Sequence, residues 1–471
     1  MKRREFLYST ALLSAGSACA KQTESADTTA TGGTHLIEDV DKLLDLPPGF
    51  KYTIVSESGT EMSDGLLMPG RPDGMAAFDA GDGRVALVRN HENLASQNAL
   101  GAFGAQLERL DTLPKEFFYD YGEGKLPGTG GTTTLIYDPA TQTQERAHLS
   151  LAGTELNCAG GPTPWGTWLS CEECFDEGTL EATKHIPREK LHGYVFEVDP
   201  RDTNIAQPKP LKALGRFVHE AAAVDPQTGI VYLTEDRRDS LFYRCIPNTP
   251  GQLQNGGRLQ ALAFADSNIT DTANRQEAER LIQGEWNSVH WIDIIDNDSA
   301  VDDLRHRGHA KGAARFVRGE GIWYQQGEVC FTCTEGGNAG LGQVFRYRPL
   351  PPDDANSSSA RSTARKPNDG DTGGELMLLL EAEKGSAMQM ADNLTFTPWG
   401  GLIVCEDRPG HCGLFSVKLN GEHAPFALNR GSKSELAGVC FAPDGKTLFV
   451  NIQVQGLTLA ITGPFAEHLG S

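Results

Sequence analysis

Beyond its first twenty residues this 471-residue chain lacks any apolar run long enough to cross a bilayer as a helix. Positive charge is also scarce. Forty-two Lys and Arg stand against 63 Asp and Glu, a formal net charge of −21. A nucleic-acid binder needs a basic face, and an anionic membrane surface repels such a chain, so neither partner class fits. A strongly acidic protein that handles an anionic substrate must reverse the local field, usually with bound cations; a merely soluble acidic surface gives the same count. Helix-periodic stretches are few, whereas glycine is abundant at 53 residues. Together these favour many short strands joined by tight turns.

The common catalytic signatures are missing too. There is no G-x-S-x-G elbow for a serine nucleophile. Gly128-Thr-Gly-Gly-Thr132 lacks the Lys of a Walker loop, and His91-Glu92-Asn-Leu-Ala95 lacks the second His of a zinc helix. No dinucleotide fingerprint follows a strand. Ten cysteines in an exported chain would ordinarily suggest disulfides, but most lie inside apolar strand runs: Cys171, Cys245, Cys330, Cys405 and Cys440. Cys171/Cys174 and Cys330/Cys333 are three apart, so on a strand they face opposite sides and read as core thiols.

What is present begins with an export signal. Met1-Lys-Arg-Arg-Glu-Phe-Leu7 precedes a short apolar run from Ala11 to Ala20, too brief to be membrane-spanning. Arg3-Arg4-x-Phe6-Leu7 fits the twin-arginine route, which carries folded proteins and suits one that loads a cofactor before export; a general secretory signal whose two arginines are only its basic region is the alternative. Cleavage after Ala20, at Ala18-Cys19-Ala20, gives a periplasmic or secreted protein; a lipid on Cys19 would anchor it instead. The expected organisation is a signal peptide at 1–20, a polar linker at 21–44, and one domain at 45–465, acting as a monomer.

A repeat fills that domain. Six β-rich apolar runs can be laid on one another, and five end on a glutamate: Glu92, Glu172, Glu235, Glu335 and Glu406, with Asn451 ending the sixth. A second position precedes each: Asp73, Cys158, Glu220, Glu320, Asp392 and Glu435. In the four middle units the two are fourteen or fifteen residues apart. A strand, a turn such as Asp225-Pro-Gln-Thr-Gly229 and a second strand intervene, and an outer strand follows. Small antiparallel sheets that cannot bury their faces alone stack around an axis, so the spacing predicts an all-β, six-bladed β-propeller; an all-β sandwich with coincidental spacing is the alternative. Six units give roughly 70 residues per blade, which requires insertions. Short helices are expected at 105–127 and 174–192, a helix around 274–282 within 266–290, and a disordered or mobile Ser/Pro/Asp-rich loop at 351–373.

In a propeller the innermost strands line a central channel. Glu172, Glu220, Glu235, Glu320, Glu335, Asp392 and Glu406 would then crowd one mouth of it. Unpaired buried carboxylates repel one another and cost several kcal/mol each. Arg237, Arg318 and Arg408 are too few to balance them, so metal ions are expected. Oxygen-rich groups suit hard cations such as calcium, magnesium, manganese or ferric iron. Cys158 reads either as a thiolate ligand, which points to a transition metal such as iron, or as a core thiol before a Gly turn. His91, His219 and Asn157 are secondary ligand candidates. Asp293-Ile-Ile-Asp-Asn-Asp298 lacks the frame of a calcium loop and reads as a solvated turn.

The string Asn157-Cys-Ala-Gly-Gly-Pro-Thr-Pro-Trp-Gly-Thr-Trp-Leu-Ser-Cys-Glu-Glu173 resembles the signature of PhoX-type alkaline phosphatases. Asn90-His-Glu92, Gly215-Arg-Phe-Val-His-Glu220, Arg318-Gly-Glu-Gly-Ile322, Ala391-Asp-Asn-Leu394 and Gly438-Val-Cys-Phe-Ala-Pro-Asp-Gly-Lys-Thr-Leu-Phe-Val-Asn451 fit the same family, from about residue 45 to 455. The resemblance implies a six-bladed propeller that releases phosphate from monoesters with ferric iron and calcium. By position it makes Glu92, Cys158, Glu220, Glu235, Glu320 and Glu406 ligands, and Arg318 the phosphate-binding residue, so that Arg318, Glu320 and Cys158 carry the chemistry. The family's Arg-Pro-Glu triplet stands here as Arg318-Gly319-Glu320, a departure that could loosen that turn. A calcium propeller hydrolase acting on lactones, phosphotriesters or phytate, or a non-catalytic binding propeller, are the alternatives.

Overall fold

The computed structural model describes residues 35–175, 188–277, 280–350 and 373–470. The signal, Cys19, most of the linker, much of 174–192 and nearly all of the 351–373 loop lie outside the described residues. The strands belong to one compact unit, Thr34–Ser471.

Six innermost strands organise it: Pro72–Asp79, Asn157–Pro162, His219–Val224, Gly319–Gln325, Ala391–Phe396 and Leu436–Phe441. Each packs against the next, and the last packs against the first, so they close a ring. From each an antiparallel sheet runs outward, as in Pro72–Asp79, Val85–His91, Thr132–Asp138 and Thr143–Leu151 of the first blade. The third and fourth blades share one nine-stranded sheet, because Trp286–Asp293 pairs with Gly257–Phe264 on one side and Gly374–Glu381 on the other. Among the described residues the fold is therefore an all-β propeller with five hydrogen-bonded sheets and six inner strands.

Closure uses both ends of the domain. Lys51–Glu57 is the outer strand of the sixth blade, paired with Leu457–Thr462. Leu44–Asp45 extends the fifth blade beside His423–Asn429, where Asp45 binds Arg430. Inner strands pack closely because small residues face one another. A Cβ on Gly74 would lie 2.5 Å from Ala159 Cα, and one on Gly161 would lie 1.7 Å from the Ala222 carbonyl oxygen. Apolar side chains fill the space between blades, including Phe242 stacked on Phe331 at 4.3 Å.

Helix is sparser than expected. Among the described residues the α-helices are Leu304–His309 and Phe465–Leu469. The described part of 105–127 makes 3-10 turns, and that of 266–290 holds no α-helix. Asn274 there has a φ of 54° and ties the segment through its amide to Leu281 and Glu381. No helix of the described residues is long and apolar enough to cross a membrane.

Candidate active site

All six inner strands break register at their first residues. The shifts fall between Pro72 and Met75, Asn157 and Gly160, His219 and Ala222, Gly319 and Ile322, Ala391 and Leu394, and Ala437 and Cys440. A bulge at a strand end turns a side chain off the sheet, and such bulges collect beside active sites. The residues at these bulges are Asp73, Cys158, Glu220, Glu320, Asp392 and Gly438. Five of the six can ligate a metal, and Glu435 lies three residues before the glycine.

Ligand atoms lie within 4.8 Å of one another in four overlapping groups: Cys158, Glu173 and Glu220; Glu220, Glu320 and Asp392; Asp392, Asp407 and Glu435; and Asp73, Glu92 and Glu435. Shared members join them into one chain of a thiol and eight carboxyl groups. The structure thus brings together Glu92, Cys158, Glu220, Glu320 and Asp392. Sequence reasoning missed Glu173 and Asp407, and left Asp73 and Glu435 as repeat positions without a role in the site.

Glu172, Glu235 and Glu406 do not join these groups. Each is fully buried and accepts backbone N–H groups at the start of the next strand of its own blade. Glu172 accepts from Gly193 at 3.0 Å and from Tyr194, Glu235 from Leu241 at 3.2 Å and from the Tyr243 hydroxyl, and Glu406 from Gly413 at 2.9 Å. They align with His91, Cys333 and Asn451, the residues opposite the bulge in the other blades. The residue after each, Glu173, Asp236 or Asp407, is the one at the channel, because successive side chains along a strand face opposite ways. The doubled acids Glu172-Glu173, Glu235-Asp236 and Glu406-Asp407 were the available signal. Glu335 sits two residues beyond its blade's equivalent position and pairs at the rim with Arg238, 2.8 Å away.

The secondary candidates are structural. His91 bonds Gly70 and Thr133, and His219 bonds Gly215 and stacks on Phe217. Burial pushes both imidazoles down to about 3, so they are neutral. Asn157 bonds Gly131, Thr154 and Ser170. Asp293 and Asp298 make side-chain bonds with Gln260, Lys212 and Tyr194. The nine described cysteines are free; eight are buried and Cys158 is half-buried.

Burial raises the Glu220, Glu320, Glu173, Asp392 and Glu435 carboxyls well above their usual range, and neighbouring carboxylates raise them further. Among the described residues, both carboxylate oxygens of buried Glu220 lack a hydrogen-bond partner. Orphaned acceptors beside a thiol and further acids fit a metal ion, since such groups are otherwise costly. Two arginines meet the chain of acids. Arg318 grips Asp236 through Nε at 2.8 Å and Nη2 at 3.0 Å, and Glu320 through Nη2 at 2.8 Å. Arg71, which sequence reasoning did not single out, binds Glu92. Both arginines immediately precede the bulge of their strand with left-handed φ, 47° at Arg71 and 54° at Arg318. Arg71-Pro72-Asp73 and Arg318-Gly319-Glu320 are register equivalents, three blades apart in a ring of six.

A family profile described as alkaline phosphatase PhoX matches residues 31–141 and 120–456. The solved structure of Pseudomonas fluorescens PhoX in complex with vanadate, a transition state analogue, is 20% identical and aligns with a TM-score of 0.63 over 90% of this chain and 96% of that one. A gluconolactonase of Xanthomonas campestris aligns at 10% identity and a TM-score of 0.39 over 88% of this chain and 99% of its own. Among curated proteins none matches. A profile match across nearly the whole domain, together with the propeller fold, places this chain in the alkaline phosphatase PhoX family.

Proposed function

We propose that the protein hydrolyses phosphomonoesters in the channel mouth, with ferric iron and calcium held by Cys158, Glu173, Glu220, Glu320, Asp392 and Asp407. The observation that carries this is the continuous group from Cys158 to Asp407, with a buried carboxylate at Glu220 whose oxygens have no donor among the described residues. The thiol end suits iron, and the all-carboxylate groups suit calcium. When bound, such ions polarise phosphoryl oxygens and activate water.

The chain's own residues supply positioning. Asp236 fixes one edge of the Arg318 guanidinium, and Glu320 holds Nη2, so the side chain is set before substrate arrives. A fixed guanidinium beside the ring would bind phosphoryl oxygens and oppose the negative charge that builds on them in the transition state. Water adds to phosphorus, the ester P–O bond breaks, and the departing alkoxide takes up a proton. The buried carboxylates exclude their own protons from this exchange only while cations neutralise them, so activity should require the metals.

Export through the twin-arginine machinery to the periplasm, as a monomer, completes the reading. Lys at both Arg3 and Arg4 should leave the protein in the cytoplasm, read by cell fractionation. The decisive experiment is elemental analysis of the exported protein beside p-nitrophenyl phosphate turnover. Iron with calcium is expected, and Cys158→Ala should lose iron and cut turnover at least a hundredfold. Turnover undiminished in Cys158→Ala, or calcium without iron, would overturn the iron–thiolate assignment.

A further inference from the structure

The four acidic groups are not alike. Glu220, shared by two of them, has no donor on either carboxylate oxygen among the described residues. In the Asp73–Glu92–Glu435 group, Asp73 and Glu92 already have N–H donors. Gln453 Nε2 donates to Asp73 Oδ2 at 2.7 Å and to Glu92 Oε2 at 2.8 Å. Arg71 Nη2 binds the same Glu92 oxygen, and its Nε donates to the Glu92 carbonyl oxygen at 2.8 Å. These donors occupy Asp73 Oδ2 and Glu92 Oε2, which makes those two oxygens less available to a metal.

The guanidinium is a permanent cation, so it lowers the repulsion among the three acids without any ion. Its backbone is built for this place. Arg71 adopts a left-handed φ of 47°, uncommon for a residue with a Cβ, and the following Pro72 stiffens the turn. Arg318 has the same backbone position across the ring, but it spends its Nε on Asp236 of the neighbouring blade, which belongs to none of the four groups. Glu435 has a second use, because it also belongs to the group with Asp392 and Asp407.

We propose that Arg71, helped by Gln453, serves as the resident cation of the Asp73–Glu92–Glu435 group, so that this group takes no metal and the ions gather between Cys158 and Glu435. The family resemblance counts Glu92 among the ligands; in this chain Glu92 is the anchor of Arg71 instead. The inference rests on the metal-dependent reading above, and it predicts fewer ions than there are acidic groups.

Bound iron and calcium per chain would be measured by elemental analysis, with calcium titration calorimetry, on the wild-type full chain, Arg71→Met and Glu92→Gln. Arg71→Met should bind one more divalent cation per chain than wild type, because it removes the cation and leaves the acids. Glu92→Gln should leave the ion count unchanged. A count in Arg71→Met no higher than wild type, or the loss of an ion in Glu92→Gln, would overturn the proposal. If Arg71→Met yields no folded protein, Glu92→Gln alone decides. A wild-type protein without metal would instead sink the metal-dependent reading, so the two failures are distinguishable.

Discussion

Glu406 and Asp407 are neighbours in the chain with separate duties. Glu406 ties down the next strand through Gly413 and the turn through Gln389, whereas Asp407 lies with Asp392 and Glu435 at the channel. Glu406→Gln should therefore lower thermal stability by about 2 kcal/mol, the scale of a lost charged hydrogen bond, and leave turnover per folded molecule within a few-fold of wild type. Asp407→Asn should do the reverse, with little change in melting temperature and a large fall in kcat. A buried histidine adds a pH-dependent term. Burial alone would push His192 down, but the carboxylates of Glu172 and Asp120 overcome it and raise the imidazole to about 9. A folded value above the unfolded 6.5 gives stability that is fully present below about pH 6.5 and is lost as pH rises through 9. His192→Gln should thus be destabilised by about 3 kcal/mol at pH 6, with the difference from wild type fading by pH 10 in chemical denaturation. A constant difference across that range would mean that His192 acts only by packing. These residue assignments were half legible in the sequence. The doubled acids were visible, but choosing between two adjacent carboxylates needs the face of the strand each one lands on, and the bulge sets that.

At the scale of the element, the repeated bulge explains why the blade spacing could be read and its details could not. The inner-strand positions at Cys158, Glu220, Glu320 and Asp392 were recognisable from a regular distance to the next acid. In the fourth blade, however, Cys333 stands opposite Gly319, so Glu335 falls two residues past the place that the spacing implied. The departure at Gly319 also takes on a structural meaning. Its φ is not left-handed, and Pro72 holds the equivalent position after Arg71. A proline is thus compatible with this corner. Gly319→Pro should keep activity and raise stability by about 0.5 kcal/mol through a less flexible unfolded chain, measured by denaturant midpoint. A loss of several kcal/mol would show that the Gly319 N–H or its exact φ is needed.

For the whole molecule, stability depends on closing the ring. The sixth blade gets its outer strand from Lys51–Glu57, and the fifth receives Leu44–Asp45, so two late blades are completed by early residues. Removing residues 35–57 should expose the edge of Leu457–Thr462 and uncouple the sixth blade from the rest. Calorimetry should then show a lower, broader transition instead of one cooperative unfolding, together with loss of phosphatase turnover. Retention of a single sharp transition at the wild-type temperature would mean that the ring closes without these strands. Of the helices expected in the insertions, the one at 105–127 is present only as 3-10 turns, and most of 174–192 lies outside the described residues. The segment around Asn274 has helix-forming composition, but the Asn274 amide bonds Leu281 and Glu381, and no α-helix forms among its described residues.

Local chemistry was enough for the class of fold and the kind of site. Turn residues, β-rich runs and evenly spaced acids report on nearest neighbours along the chain, and a surplus of buried carboxylates implies cations wherever they meet. The tertiary structure decided which acids meet. Whether Glu172 or Glu173 reaches the channel depends on strand register. Whether Asp73 and Glu92 need a metal or already have Arg71 and Gln453 depends on residues some 360 positions apart, brought together when the ring closes between its sixth and first blades.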